Sequence, residues 1–105
     1  MTTRSELFTN ADSAAQLMTA MANSKRLMIL CSLSEGEKPV GMLARKVGLS
    51  QSALSQHLAK LRALDLVSTR RDAQTIYYSI ASPRVDEILD ALCTIFCTSP
   101  AQHAA

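Results

Sequence analysis

The chain has no tryptophan, and only two tyrosines, two phenylalanines, three glycines and three prolines among its 105 residues. An interior with so few rings must be aliphatic, and the abundant Leu, Ala and Met favour helix. Scarce Gly and Pro exclude collagen-like and low-complexity segments, and no repeat or linker block is present. No apolar run approaches the roughly 18 residues needed to cross a bilayer. Glu6, Asp12 and Gln16 interrupt any leader-like hydrophobic stretch near the start, so a cytoplasmic protein is expected. The three cysteines, an odd number, are then expected as thiols in a reducing compartment. A chain of this length makes one domain, residues 1–105, with an ordered part expected over about 11–97.

Charge is also scarce in total but uneven in place. The net charge is +2. Between Arg45 and Arg71, however, Arg45, Lys46, Lys60, Arg62, Arg70 and Arg71 face a single acid, Asp65, while the rest of the chain is net negative. A basic middle between acidic ends is the footprint of a nucleic-acid face. Chance clustering is the plain alternative.

What the sequence does have, within that basic middle, is PVGMLARKVGLSQSALSQHLAKLRALDL, from Pro39 to Leu66. Val40, Leu43, Ala44 and Val47 recur at helical spacing, and Gly48 supplies a left-handed turn at low cost. Ser50 is a preferred N-cap for a second helix bearing Leu54, Leu58, Leu61 and Leu64 on one side. Helix, Gly-containing turn and helix make a helix-turn-helix, whose second helix enters the DNA major groove. At about 100° per residue, Ser52, Gln56, Ala59 and Ala63 lie opposite the leucines, with Ser55 and Lys60 on the borders. Gln can pair with adenine, Ser can reach base edges or phosphates, and Ala can meet a thymine methyl. Gln51 and Ser52 occupy the first turn, which favours anions. The competing reading is a low-charge surface helix.

Upstream, Ala14, Leu17, Met18 and Met21 predict a helix over 11–22, with Asn10 a candidate N-cap and Met1 to Asn10 loosely ordered. Lys25 to Leu33, with Ser24 as a candidate cap, is apolar almost all round and belongs at the centre. Glu35 to Pro39 reads as a turn, Pro39 suiting the first helical position. After Leu64 the period falls towards 2. Leu66 to Arg71 and Thr75 to Ile80 read as strands, with Asp72-Ala73-Gln74 as the hairpin tip. Arg70, Arg71 and Gln74 would lie beside the second helix of the motif and meet phosphate or the minor groove, as the wing of a winged helix. Paired arginines can also simply protect an edge strand. Ser82-Pro83 opens a last helix to about Cys97, with Val85, Ile88, Leu89, Leu92, Ile95 and Phe96 as its apolar stripe. Ser99 to Ala105 is a polar tail, expected to be disordered. The expected fold is mainly α with a two-stranded β wing. A winged helix-turn-helix of this size reads an inverted-repeat operator as a homodimer, and the first and last helices are the expected dimer contact. The same stripes could instead be satisfied within one protomer.

In this order of elements, the stretches MANSKRLMILCSL, LSQSALSQHLAKLRALDLV and TRRDAQTIYYSI resemble the ArsR/SmtB family of bacterial winged-helix repressors, over roughly Ala14 to Cys97. Many members sense metals through Cys on the helix before the recognition helix, or through His and acids on the last helix. Here the first position reads VGMLARKVG, without Cys, and the last helix carries Asp86, Glu87 and Asp90 but no His. His57 flanks the recognition helix's apolar stripe, and His103 is in the tail. A metal site needs its ligands clustered round one ion, so no metal or other cofactor is expected.

The chain is similar instead to the thiol-sensing branch of the family, in which a cysteine pair reacts with persulfides or oxidants and operator affinity falls. The resemblance implies that Cys31 and Cys97 are that redox-sensing pair, with Cys93, one turn before Cys97, as a further candidate. A small-molecule persulfide or oxidant would be the inducer. A sensor thiol needs thiolate character, access and a resolving partner. Free Cys is also a common small core residue, and that reading competes for Cys31. The resemblance implies no enzyme: Cys93 and Cys97 without a βαβ pattern do not make a thiol oxidoreductase. The alternative is a winged-helix regulator that senses a metal or nothing, including an anti-silencer that displaces another DNA-binding protein.

Overall fold

The computed structural model describes residues 3–97. His103 and the polar tail lie outside them. The chain folds as α1 (Arg4–Thr9), α2 (Ala11–Met21), α3 (Ser24–Ser34), β1 (Lys38–Pro39), α4 (Val40–Val47), α5 (Gln51–Ala63), β2 (Val67–Asp72), β3 (Thr75–Ile80) and α6 (Pro83–Phe96).

The first residues depart from expectation. Instead of a loose start, Arg4–Thr9 is helical: the Thr3 hydroxyl accepts from the Glu6 N–H at 3.1 Å. Asn10 donates its side-chain amide back to the Glu6 carbonyl at 3.0 Å and closes α1, while it holds the expected N-cap position of α2 through its carbonyl, which accepts from the Ala14 N–H at 3.1 Å, without a side-chain cap bond. Local capping alone made this helix, which buries no residue. Asn23, not Ser24, caps α3, its Oδ1 accepting from the Arg26 N–H at 3.1 Å.

α3 is central, packing against α2, α4, α5, α6 and β3. Its Ile29, Leu30 and Leu33 are buried with Leu43, Val47, Leu54, Leu58, Leu61 and Val85 in one aliphatic core. The all-round apolar helix is nonetheless only partly enclosed. Met28 and Cys31 are exposed.

Gly48 ends α4 at φ 72°, and the Leu49 N–H returns to the Ala44 carbonyl at 3.0 Å. Lys25 reaches from α3 to donate to the Val47 carbonyl at 2.7 Å, satisfying a helix-end acceptor and tying the turn to the core. The Ser50 hydroxyl accepts from the Ala53 N–H at 3.2 Å and starts α5. At its other end, the Leu66 N–H meets the Leu61 carbonyl and the Asp65 N–H the Arg62 carbonyl, both at 3.0 Å. This is a Schellman cap with Asp65, at φ 58°, where Gly is usual.

The hairpin lies where expected, although β2 runs through Asp72 and leaves Ala73-Gln74 as the loop. A third strand joins it. Lys38–Pro39 pairs antiparallel with Tyr77 and Tyr78, giving the order β1-β3-β2. Pro39 therefore has an extended backbone and precedes α4, not its first helical position. The Glu35–Pro39 turn thus ends by stitching the wing to the helix-turn-helix.

Candidate nucleic-acid face and thiol cluster

The face of α5 away from the core is polar, small and open. Leu54, Leu58 and Leu61 are buried, while Gln51, Ser52, Ser55, Gln56, Ala59 and Lys60 are exposed. The first-turn N–H groups of α5 that Ser50 does not cap project from the same end as Gln51 and Ser52, where an anion is favoured. His57 is half-buried on the flank. Its Nδ1 is buried without a partner among the described residues, and burial, then the charges of Arg26 and Lys60, push its imidazole below the usual 6.5.

The basic residues of the middle segment divide into two sets. Lys46 is held by Glu35 at 2.8 Å. Arg70 is held by Glu37: its Nε donates to both carboxylate oxygens at 3.0 and 2.9 Å, and Nη2 donates to Oε1 at 2.8 Å. Arg70 also lies over the Tyr77 ring, 4.5 Å from its centre. Glu37, foremost through that hydrogen bonding, holds the guanidinium still more firmly protonated. Strand alternation puts Arg71 on the opposite face, with buried Val67, on the strand that packs against α5. Among the described residues, Arg45, Lys60, Arg62 and Arg71 make no ion pair. Gln74 is exposed in the hairpin loop. The α5 face, Arg71 and Gln74 remain open to a polyanion, whereas Arg70 is already engaged.

The thiols gather where α3 meets α6. The sulfur–sulfur contact is between Cys93 and Cys97, at 3.0 Å, and all three cysteines are free. Cys31 was expected on a buried helix; its side chain is exposed, because α3 turns that flank outward. Desolvation, then Cys93, then Glu35 push the Cys31 thiol up. The hydrogen bond to Cys97 is the largest cause holding the Cys93 thiol up, with desolvation, Cys97 and Asp90 adding to it. Cys93 is thus the sulfur in contact with Cys97, although residue spacing left it the weaker candidate. Its i, i+4 spacing to Cys97 was the available signal. Among the described residues, no group of three or more His, Cys, Asp or Glu is placed to hold a metal ion.

The model of the bacterial regulatory proteins of the arsR family matches residues 23–69. The nodulation protein NolR of Rhizobium meliloti is 66% identical over 87 residues, spanning 83% of this chain and 71% of that protein. The chain belongs to the arsR family. Solved structures agree. The reduced HlyU of Vibrio cholerae is 46% identical, with TM-score 0.82 over 89% of this chain and 98% of that one. The transcriptional repressor BigR of Xylella fastidiosa is 37% identical, with TM-score 0.89 over 93% of this chain and all of that one (100%). The arsR-family chain is therefore a winged helix-turn-helix regulator, with α5 as its recognition helix and β2–β3 as its wing. HlyU of Vibrio cholerae is named a transcriptional activator and BigR a transcriptional repressor, so these relatives are regulators, not enzymes.

Proposed function

We propose that this arsR-family regulator is a homodimeric repressor that binds an inverted-repeat operator in double-stranded DNA and releases it when Cys31 and Cys97 react with a persulfide or oxidant. The observation that carries the DNA reading is the exposed Gln51, Ser52, Ser55, Gln56 and Lys60 face of α5, together with the exposed Arg71 and Gln74 of the wing whose strand β2 packs against α5. The relatives named as a transcriptional repressor, BigR, and as a transcriptional activator, HlyU, support the regulatory reading.

Large apolar side chains support the dimer. Phe8 is 86%, Phe96 74% and Ile95 66% exposed, on α1 and α6, where a soluble protomer would be expected to cover them. The radius of gyration, 15.2 Å, exceeds the roughly 13 Å of a compact domain of this length. Both facts favour a second copy against the first and last helices.

A route from sulfur to DNA runs through the α3–α4 connection. Cys31 lies in the last turn of α3, and its carbonyl accepts from the Ser34 hydroxyl at 2.6 Å. Four residues on, Glu35 holds Lys46 of α4, and Glu37 holds Arg70 of the wing. Linking Cys31 to the end of α6 would load both holds, coupling the thiols to the position of α5.

The test is a mobility-shift titration of the reduced dimer on operator DNA, repeated after persulfide treatment. Salt-dependent binding that weakens on treatment supports the reading. Equal binding to unrelated DNA, or no change on treatment, contradicts it.

A further inference from the structure

The thiol that touches Cys97 is Cys93, not Cys31. Their sulfurs are 3.0 Å apart at the end of α6. Cys93 is fixed in the helix, while Cys97 is its C-cap, with an extended backbone at φ −92° and ψ 123°. Side chains four residues apart on a helix have Cβ atoms about 5–6 Å apart. A disulfide needs about 3.5–4.5 Å, so the bond requires the non-helical cap to swing inward by a small amount. By helical position, both sulfurs share a flank with Asp86 and Asp90 and point away from Ile95.

From this contact we infer that Cys93 is the first resolving thiol of the sensor, capturing activated Cys97 within α6 before the link passes to Cys31. The inference rests on the thiol-sensing reading above. The contact with Cys97, foremost through its hydrogen bond, holds the Cys93 thiol up.

The chemistry proceeds in three steps. The Cys97 thiolate attacks the outer sulfur of an organic persulfide; the persulfide S–S bond breaks, the organic thiolate leaves, and Cys97 becomes a persulfide. Cys93 gives its proton to solvent and attacks the inner sulfur of that group, forming a Cys93–Cys97 disulfide and expelling hydrosulfide. Two protein thiols are thereby oxidised by two electrons, and the outer sulfur is reduced to hydrogen sulfide. The Cys31 thiolate then attacks the Cys97 sulfur, forming Cys31–Cys97 and returning Cys93 as a thiolate that is reprotonated. This last exchange transfers no net electrons.

The intrahelical link touches α6 alone and leaves the α3–α4 connection unloaded. Only the exchange to Cys31 spans two elements. Cys93 therefore sets the rate of the response, and Cys31 its consequence for DNA.

The experiment exposes the reduced full-length protein to glutathione persulfide and quenches samples with iodoacetamide over time. After trypsin, Cys31 lies in one peptide and Cys93 with Cys97 in another. The expected result is a transient Cys93–Cys97 link with Cys31 alkylated, followed by Cys31–Cys97. In Cys93→Ser the second link should form roughly tenfold more slowly, because a neighbouring thiol no longer supplies its high effective concentration. Operator release should slow by the same factor. A Cys31–Cys97 link that forms at the wild-type rate in Cys93→Ser, with no earlier link in the wild type, overturns the inference and leaves thiol sensing intact. No link of either kind, with operator binding unchanged, sinks both.

Discussion

Arg70 grips both carboxylate oxygens of Glu37 at 2.8–3.0 Å and lies over the ring of Tyr77. It joins the wing to the α3–α4 connection, so the more conspicuous half of the Arg70-Arg71 pair is already occupied. Neutralising Glu37 should release that charge to DNA. Glu37→Gln is expected to tighten operator binding and steepen its dependence on salt by about one counterion, while Arg71→Ala makes it shallower by about one. Arg70→Ala should change the slope less than Arg71→Ala. Anisotropy titrations at four salt concentrations decide the order; equal losses at Arg70 and Arg71 would mean that DNA displaces Glu37.

Gln56 stands in the middle of the exposed face of α5, opposite the buried leucines. Gln56→Ala should cost about 1–3 kcal/mol of operator affinity and little of non-specific affinity, since a bidentate base contact carries the discrimination. Competition of operator against random duplex measures the ratio. An equal loss on both would assign Gln56 to the backbone.

Ala73 has φ 56° at the first position of the two-residue wing loop. Gly is the residue that normally occupies a left-handed first position there. Ala73→Gly should stabilise the fold by about 1 kcal/mol, the cost of an L residue in that conformation, less the entropy of the added Gly. A raised melting temperature is the expected outcome; a fall would mean that the loop gains nothing from relaxation.

Burial, then the charges of Arg26 and Lys60, hold the His57 imidazole below its usual value. Its folded value lies below that of the unfolded chain, so the unfolded chain takes up the proton first as pH falls. The contribution of His57 to stability is full above about pH 6.5 and is lost as pH falls through the folded value. Thermal unfolding between pH 7.5 and 5 should show that loss, and His57→Leu should reduce it while removing the unpartnered Nδ1. An identical pH profile in the variant would place the proton uptake elsewhere.

Much of this was readable from residue order, because strong periodicity and strong caps report themselves. Leu54, Leu58 and Leu61, Ser50, Gly48 and the two wing strands fell where their spacing put them. α1 escaped notice because it buries nothing, so no apolar period marks it. β1 escaped because two residues ending in Pro have no period, and only Tyr77 and Tyr78 across the sheet make them a strand. The division of Arg70 from Arg71 depends on Glu37, 33 positions earlier in the chain, which no local pattern shows. The order of the thiols was hidden for a similar reason: the exposure of Cys31 is set by how α3 meets its neighbours, not by the apolar residues around it.

The central claim is that sulfur chemistry at Cys97 controls the grip of α5 on DNA. It is tested most directly by measuring operator Kd for the wild-type protein and Cys97→Ser, each reduced and persulfide-treated, at one salt concentration. The account predicts that treatment weakens the wild type by roughly 5–150-fold, the usual range of coupling between two sites, and leaves Cys97→Ser unchanged. A Cys97→Ser protein that releases DNA as the wild type does, or a wild type that holds its operator after quantitative modification, would contradict it.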